Sequence, residues 1–197
     1  YMSPQFIYNQ REYWNDDVKD GDDPNEDYGM HLRNLMKILQ KTGVCEERYY
    51  NYGKIEKASE INEDAVKNAQ LYRIKKYAKV LTQDGLKKSL VKNGPCIISF
   101  PVYNHSDVIW EKRENDEYKG GHAMTVVGYT EDSYIIRNSW GERWGDDGYC
   151  YYKFKDWGRH WEVWTAIDDD TNTPPVSPRP PPIINKLCIK RFFRCTA

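Results

Sequence analysis

Two side chains in the second half of the sequence have the chemistry of a base and its orienter. His122 follows Gly120-Gly121 and opens the apolar run Ala123-Met124-Thr125-Val126-Val127. Sixteen positions further on, Asn138 heads the string Asn138-Ser139-Trp140-Gly141-Glu142-Arg143-Trp144-Gly145. An imidazole gives and takes a proton near neutral pH, which suits the acid and base steps of acyl transfer. Its second ring nitrogen must be held in one orientation, and a carboxamide oxygen does this without burying a negative charge. Asn138 fits that role. Trp140 would cover the His–Asn hydrogen bond against water, Trp144 would line the leaving-group side, and Gly121 supports the histidine from the preceding position. Such a pair suits a thiol nucleophile, because an adjacent imidazolium stabilises the thiolate. Taken singly, each residue has a plainer reading: a strand-edge histidine, a turn asparagine, two core tryptophans. The ordered string, continued by Asp146-Asp147-Gly148-Tyr149, carries the inference.

The thiol itself is not evident. Cys45 is followed by Glu46 and Glu47, whose carboxylates raise a thiol pKa. Cys96 begins the apolar run Cys96-Ile97-Ile98-Ser99-Phe100, where burial makes a thiol inert. Cys150 lies between tyrosines on an expected strand. None opens a helix whose dipole would favour a thiolate, so all three are read as structural. Cys188 and Cys195 could pair or cross-link, and the odd total of five cysteines leaves disulfides and redox compartment open.

On the His122/Asn138/Trp140/Trp144 string the sequence resembles the papain-like cysteine peptidase family. Supporting stretches are Ser3-Pro4-Gln5-Phe6-Ile7-Tyr8, similar to the segment after the family's nucleophile helix, and Tyr28-Gly29-Met30 through Gly43-Val44-Cys45 with Tyr50-Asn51-Tyr52. Gly94-Pro95 leading into Cys96 resembles the first central strand of the family's second lobe. The resemblance extends over residues 1–167 and implies a two-lobe α+β fold, a helical lobe followed by an antiparallel β-barrel-like lobe. It further implies hydrolysis of peptide bonds in a polypeptide substrate by a Cys-His-Asn group, with no cofactor and no metal. The family sets its histidine about 130–150 residues after the nucleophile, which places the cysteine about 8–28 residues before Tyr1. The oxyanion-hole glutamine would lie upstream as well, so residues 1–197 alone are expected to be inactive. A Cys-Asn-Gly-Gly stretch is absent around residues 25–30, which favours a microbial or viral type. The alternative from another functional class is an inactive papain-like module used for binding or assembly.

The elements that must position the pair are legible in outline. Ser3 and Pro4 read as N-cap and first turn of a helix. Leu32, Leu35, Met36 and Leu39 recur at helical spacing, with Gly43 as the stop. A further helix is expected after Asn62 with Ala65, Val66 and Ala69, and another over Thr82–Lys92. Tyr72 and Ile74 suggest an edge strand. Strands are expected at Ile97–Tyr103, Ala123–Tyr129, Ser133–Arg137, Tyr149–Phe154 and Trp161–Ile167. A turn at Thr130-Glu131-Asp132 would make a hairpin and bring His122 and Asn138 to its open end. The domains expected are residues 1–70, the remainder of a helical lobe truncated at its start, and 71–167, the β-rich lobe. A linker at 168–182, with six prolines, and a basic-hydrophobic tail at 183–197 follow.

Composition narrows the alternatives. With 39% hydrophobic residues in 197, the chain can bury a substantial core. A formal charge of −1 argues against a nucleic-acid surface, and no apolar run is long enough to span a membrane. The tail, with Lys186, Lys190, Arg191 and Arg194, reads as solvated, with contact to an anionic surface or partner as the sharper alternative. Asp16, Asp20 and Gly21 faintly resemble a calcium loop, but Val18 and Asp27 stand at ligand positions, so 15–27 reads as a solvated loop. Asn104-His105-Ser106 is a sequon, relevant only on a secretory route. No leader is visible, and localisation stays open.

Overall fold

The computed structural model describes residues 1–11, 29–53 and 57–168. The loop expected at 15–27, the linker beyond Asp168 and the tail with Cys188 and Cys195 lie outside them. The described chain is α+β, and it divides into two compact units: Tyr1–Lys79 with Trp164–Asp168, and Val80–Val163.

The first unit is built from short helices and polar clasps. Helix α1 (Pro4–Asn9) starts as its sequence requires, with Ser3 Oγ accepting the Phe6 N–H at 3.0 Å and Pro4 in the first turn. The same hydroxyl donates to the Tyr50 carbonyl at 2.6 Å, and Asn9 Nδ2 donates to the Tyr50 hydroxyl at 2.7 Å. Helix α2 (Leu32–Lys41) buries Leu32, Met36 and Ile38. Gly43 follows it at φ +88°, and a Cβ there would stand 2.0 Å from the Ala69 carbonyl oxygen. Helix α3 (Glu63–Ala69) is capped by Asn62, whose side chain accepts from Ala65 N–H at 2.9 Å. Phe6, Cys45, Tyr50, Ile61, Ala65 and Ala69 make the core.

One expectation for this unit needs correction. Tyr72 and Ile74 do not form a strand: the Tyr72 carbonyl accepts from Val44, and the Ile74 N–H donates to Leu39. Strand β1 lies at Lys76–Lys79, antiparallel to Trp164–Ile167. Its exposed lysines gave no apolar alternation, and the pairing with a distant segment overrode weak local propensity.

In the second unit, helix α4 (Gln83–Lys92) is capped by Thr82, which accepts from Gly85 N–H at 3.0 Å. Strands β2 (Cys96–Val102), β3 (Gly120–Tyr129), β4 (Ser133–Arg137) and β5 (Tyr149–Lys153) pair antiparallel in succession. The last strand, β6 (Glu162–Ile167), begins beside β2, where Trp161 N–H donates to the Ser99 carbonyl at 2.9 Å. The β3–β4 turn is closed by Thr130 N–H donating to Ser133 O at 2.8 Å, and a bulge interrupts the ladder between Val126 and Gly128. Phe100 stacks on Trp110 at 4.5 Å and meets the edge of Tyr152 at 5.0 Å. With Ile98, Val126, Ile136 and Val163 these rings form the core, each large side chain contributing about 1.5–3 kcal/mol.

Register sets the position of the histidine. Strand β3 starts earlier than Ala123, because Gly120 and Gly121 pair with Val102 and Pro101. His122 lies inside the strand, opposite Phe100, on the same face as the buried Met124 and Val126. It therefore emerges at the rim of the core.

Candidate active site

His122 and Asn138 meet at the open end of the β3–β4 hairpin. The imidazole Nε2 lies 2.7 Å from Asn138 Oδ1. That oxygen also accepts the Ser139 N–H at 2.8 Å, which identifies the atom as the amide oxygen. A carboxamide oxygen only accepts, so His122 Nε2 carries the proton and donates it. The proton-accepting position is then Nδ1, which has no hydrogen-bond partner among the described residues. Asn138 is 7% exposed, and its buried Nδ2 is unpartnered among the described residues. Rotating the amide to satisfy Nδ2 would set N–H groups against the Ser139 and His122 donors. Two bonds to Oδ1 outweigh the roughly 1–3 kcal/mol cost of one unmet donor.

The tryptophans sit around this bond. The Trp140 ring stacks on the His122 ring at 4.7 Å with 29° between planes, shielding one face of the imidazole. Trp144 stands edge-on to Trp140 at 5.6 Å, and its Nε1–H donates to the His105 carbonyl at 3.0 Å. The loop from 138 to 149 is wound tightly enough to hold both rings: Asn138 N–H donates to Gly148 O at 2.9 Å, and Gly148 N–H to Trp144 O at 2.8 Å. Gly145 is required there, since φ is +58° and a Cβ would lie 2.3 Å from the Tyr149 carbonyl oxygen. Gly121 has a different reason. A Cβ on it would stand 2.4 Å from the Trp161 ring, which therefore packs over the backbone beside His122.

The sequence did not foresee two neighbours of this site. Trp161 is one. The other is His105, whose ring lies 5.5 Å from Trp140 and which lines, with Trp140, Arg143 and Trp144, a recess of about 460 Å³. Both come from segments remote in sequence, and no local pattern marks them. Asn104 of the sequon holds the same loop: its Nδ2 donates to Glu111 O at 2.8 Å and Asp116 Oδ2 at 3.1 Å. A glycan on that nitrogen replaces one of its two hydrogens and would cost at least one of these bonds.

The thiols of the described residues are far from nucleophilic. Burial, reinforced by Glu47 and Glu46, pushes Cys45 up to about 11. Burial, with Asp107 adding to it, pushes Cys150 up to about 12. Cys96 is buried, its Sγ turned to the Gly94 carbonyl at 3.8 Å. Among the described residues no three His, Cys, Asp or Glu side chains gather as a metal site, and no helix is long and apolar enough to cross a membrane.

Comparison with known proteins gives the family and the fold. The sequence pattern of the papain family cysteine protease matches residues 22–162. An uncharacterised peptidase C1-like protein of Acanthamoeba polyphaga mimivirus is 27% identical over 150 residues, 66% of this chain and 48% of that protein. A cathepsin B-like protein of Giardia intestinalis is 31% identical over 139 residues, 61% of this chain and 45% of the relative. The chain thus spans about half the length of these curated relatives. Among solved structures, xylellain, a cysteine protease from Xylella fastidiosa, superposes with a TM-score of 0.70 at 30% identity, covering 85% of this chain and 70% of that one. The chain belongs to the papain family of cysteine proteases.

Proposed function

We propose that the protein is a cysteine peptidase whose nucleophile is supplied by sequence upstream of Tyr1, with His122 as acid and base and Asn138 as its orienter. The observation that carries this reading is the 2.7 Å His122–Asn138 hydrogen bond under the Trp140 ring. It leaves Nδ1 as the nitrogen that exchanges protons with a thiol. In the resting pair the thiol proton resides on Nδ1, giving a thiolate and an imidazolium. The thiolate attacks the scissile carbonyl carbon and the carbonyl electrons move onto oxygen. As the C–N bond breaks, Nδ1 gives its proton to the departing amine, leaving a thioester. Water then attacks the thioester while Nδ1 takes one of its protons, and the thiolate leaves with the acid product. Asn138 keeps the ring aligned throughout, Trp140 excludes water from the bond, Gly121 admits the Trp161 ring, and Trp144 lines the leaving-group side. The substrate is a polypeptide.

The test is to express the chain with whatever sequence precedes it in its gene and follow hydrolysis of quenched peptides. Activity lost when an upstream cysteine becomes serine is the expected result. No hydrolysis by that product would instead favour an inactive binding or structural module. Residues 1–197 alone should hydrolyse nothing, and at about pH 5 an electrophilic thiol probe should label none of Cys45, Cys96 or Cys150 preferentially. Fast labelling of one of them, abolished in His122→Ala, would identify a different nucleophile.

A further inference from the structure

We infer that the recess beside His122 is a subsite for a carboxylate on the leaving-group side of the scissile bond, with Arg143 as its charge. This rests on the reading of His122 as proton donor to the departing amine. A donor must stand next to the nitrogen it protonates, so the substrate residues after the scissile bond pass the ring that stacks on His122. That ring is Trp140, and it also lines the recess. The recess has a built floor. Trp144 is 9% exposed, its indole N–H is spent on the His105 carbonyl, and Trp140 stands edge-on to it. The hydrogen bond ties the loop of His105 to the turn of Arg143, two segments 39 positions apart.

Arg143 supplies the chemistry. Among the described residues its guanidinium makes no hydrogen bond, ion pair or ring contact. It therefore stands at the recess without a counter-ion among those residues. Its planar fork of donors matches a carboxylate. The nearby carboxylates Glu142 and Asp107 do not line the recess, whereas His105 does. An aromatic floor with one uncommitted cation accepts an acidic residue and repels a lysine. The carboxylate has two possible sources: an Asp or Glu side chain just after the scissile bond, or the C-terminal carboxylate of a short leaving segment.

The experiment uses the protein expressed with its upstream sequence. One series of quenched peptides differs only in the two positions after the scissile bond, filled with Asp, Ala or Lys. A second pair ends two residues after that bond, as free acid or amide. Because the recess is open to solvent, the acidic peptide should exceed the alanine peptide in kcat/KM by about three- to fivefold, shrinking at high salt. The acid-to-neutral ratio should fall to about one in Arg143→Gln and invert towards lysine in Arg143→Glu. Preference confined to the first series assigns a side-chain carboxylate, and preference confined to the second assigns C-terminal trimming. Cleavage of all peptides without a charge preference, or a preference unchanged in Arg143→Gln, overturns the subsite and leaves the peptidase reading standing. Cleavage of none removes that reading and the subsite with it.

Discussion

His122 and His160 each rest against an indole ring, at 4.7 Å and 4.4 Å, and each shares a short hydrogen bond with a buried side chain. Their partners differ in what they can still give. Asn138 Oδ1 has no proton, so His122 must donate from Nε2, and its other nitrogen has no partner among the described residues. Tyr152 Oη has one proton and spends it on the Asp156 carbonyl at 2.6 Å. His160 Nδ1, 2.9 Å away, must therefore donate to that same oxygen. Tyr152 is fully buried, and Phe100 and Trp157 complete the surroundings. One histidine thus closes a hydrogen bond of the core, and the other is oriented with its accepting nitrogen uncommitted. Residue type is the same in both places; the hydrogen-bond capacity of the partner separates the two.

That contrast can be broken most sharply by exchanging the roles. In the protein expressed with its upstream sequence, His122→Ala should lower kcat/KM by about 10²–10⁴ with little change in melting temperature. His160→Ala should do the reverse. A large loss of activity at His160 or His31 would mean that the wrong histidine has been chosen. Asn138→Ala should be milder, up to about a hundredfold in kcat/KM, because the ring is misplaced but still present. Tyr152→Phe removes a hydroxyl that serves Asp156 O, Arg159 N–H and His160 Nδ1. Chemical denaturation should show a loss of about 1–3 kcal/mol while kcat/KM stays within twofold or so of the parent value.

The smallest effect at neutral pH is an alkaline one. Burial pushes the Tyr152 phenol from 10.0 to about 12. It raises Cys150 from 9.0 to about 12, and Cys45 from 9.0 to about 11. In each case the folded state favours the uncharged form. The associated stability is complete below pH 9.0, the lowest of the unfolded values, and is lost as pH climbs towards about 12. Urea midpoints measured from pH 7 upward should fall only on this limb, and Tyr152→Phe should flatten its part above pH 10.0. A fall already under way near neutrality would contradict these assignments.

Much of the scaffold was readable because its signals are local. The Ser3-Pro4 start, the Asn62 cap and the stop at Gly43 each act within a few residues of themselves. Short apolar runs marked β2 and β4, although Gly120 and Gly121 extended β3 beyond what apolar pattern suggests. Strand β1 escaped because its four residues, Lys76–Lys79, acquire their conformation from Trp164–Ile167. Trp161 and His105 escaped for the same reason, since each reaches the neighbourhood of His122 from a remote loop.

By itself the sequence determined the residue types of the His–Asn pair, their separation along one hairpin and the flanking tryptophans, because a hairpin turns sequence spacing directly into proximity. Tertiary structure alone decided the rest. It chose which nitrogen of His122 donates, by setting Nε2 and not Nδ1 against the Asn138 amide oxygen. It made Cys45 and Cys150 poor nucleophiles by burying them, and it left Arg143 beside the Trp140 ring without a partner among the described residues. Hydrogen-bond direction, burial and an unmet charge all depend on which distant groups arrive at the same point, and that information is not carried by neighbours along the chain.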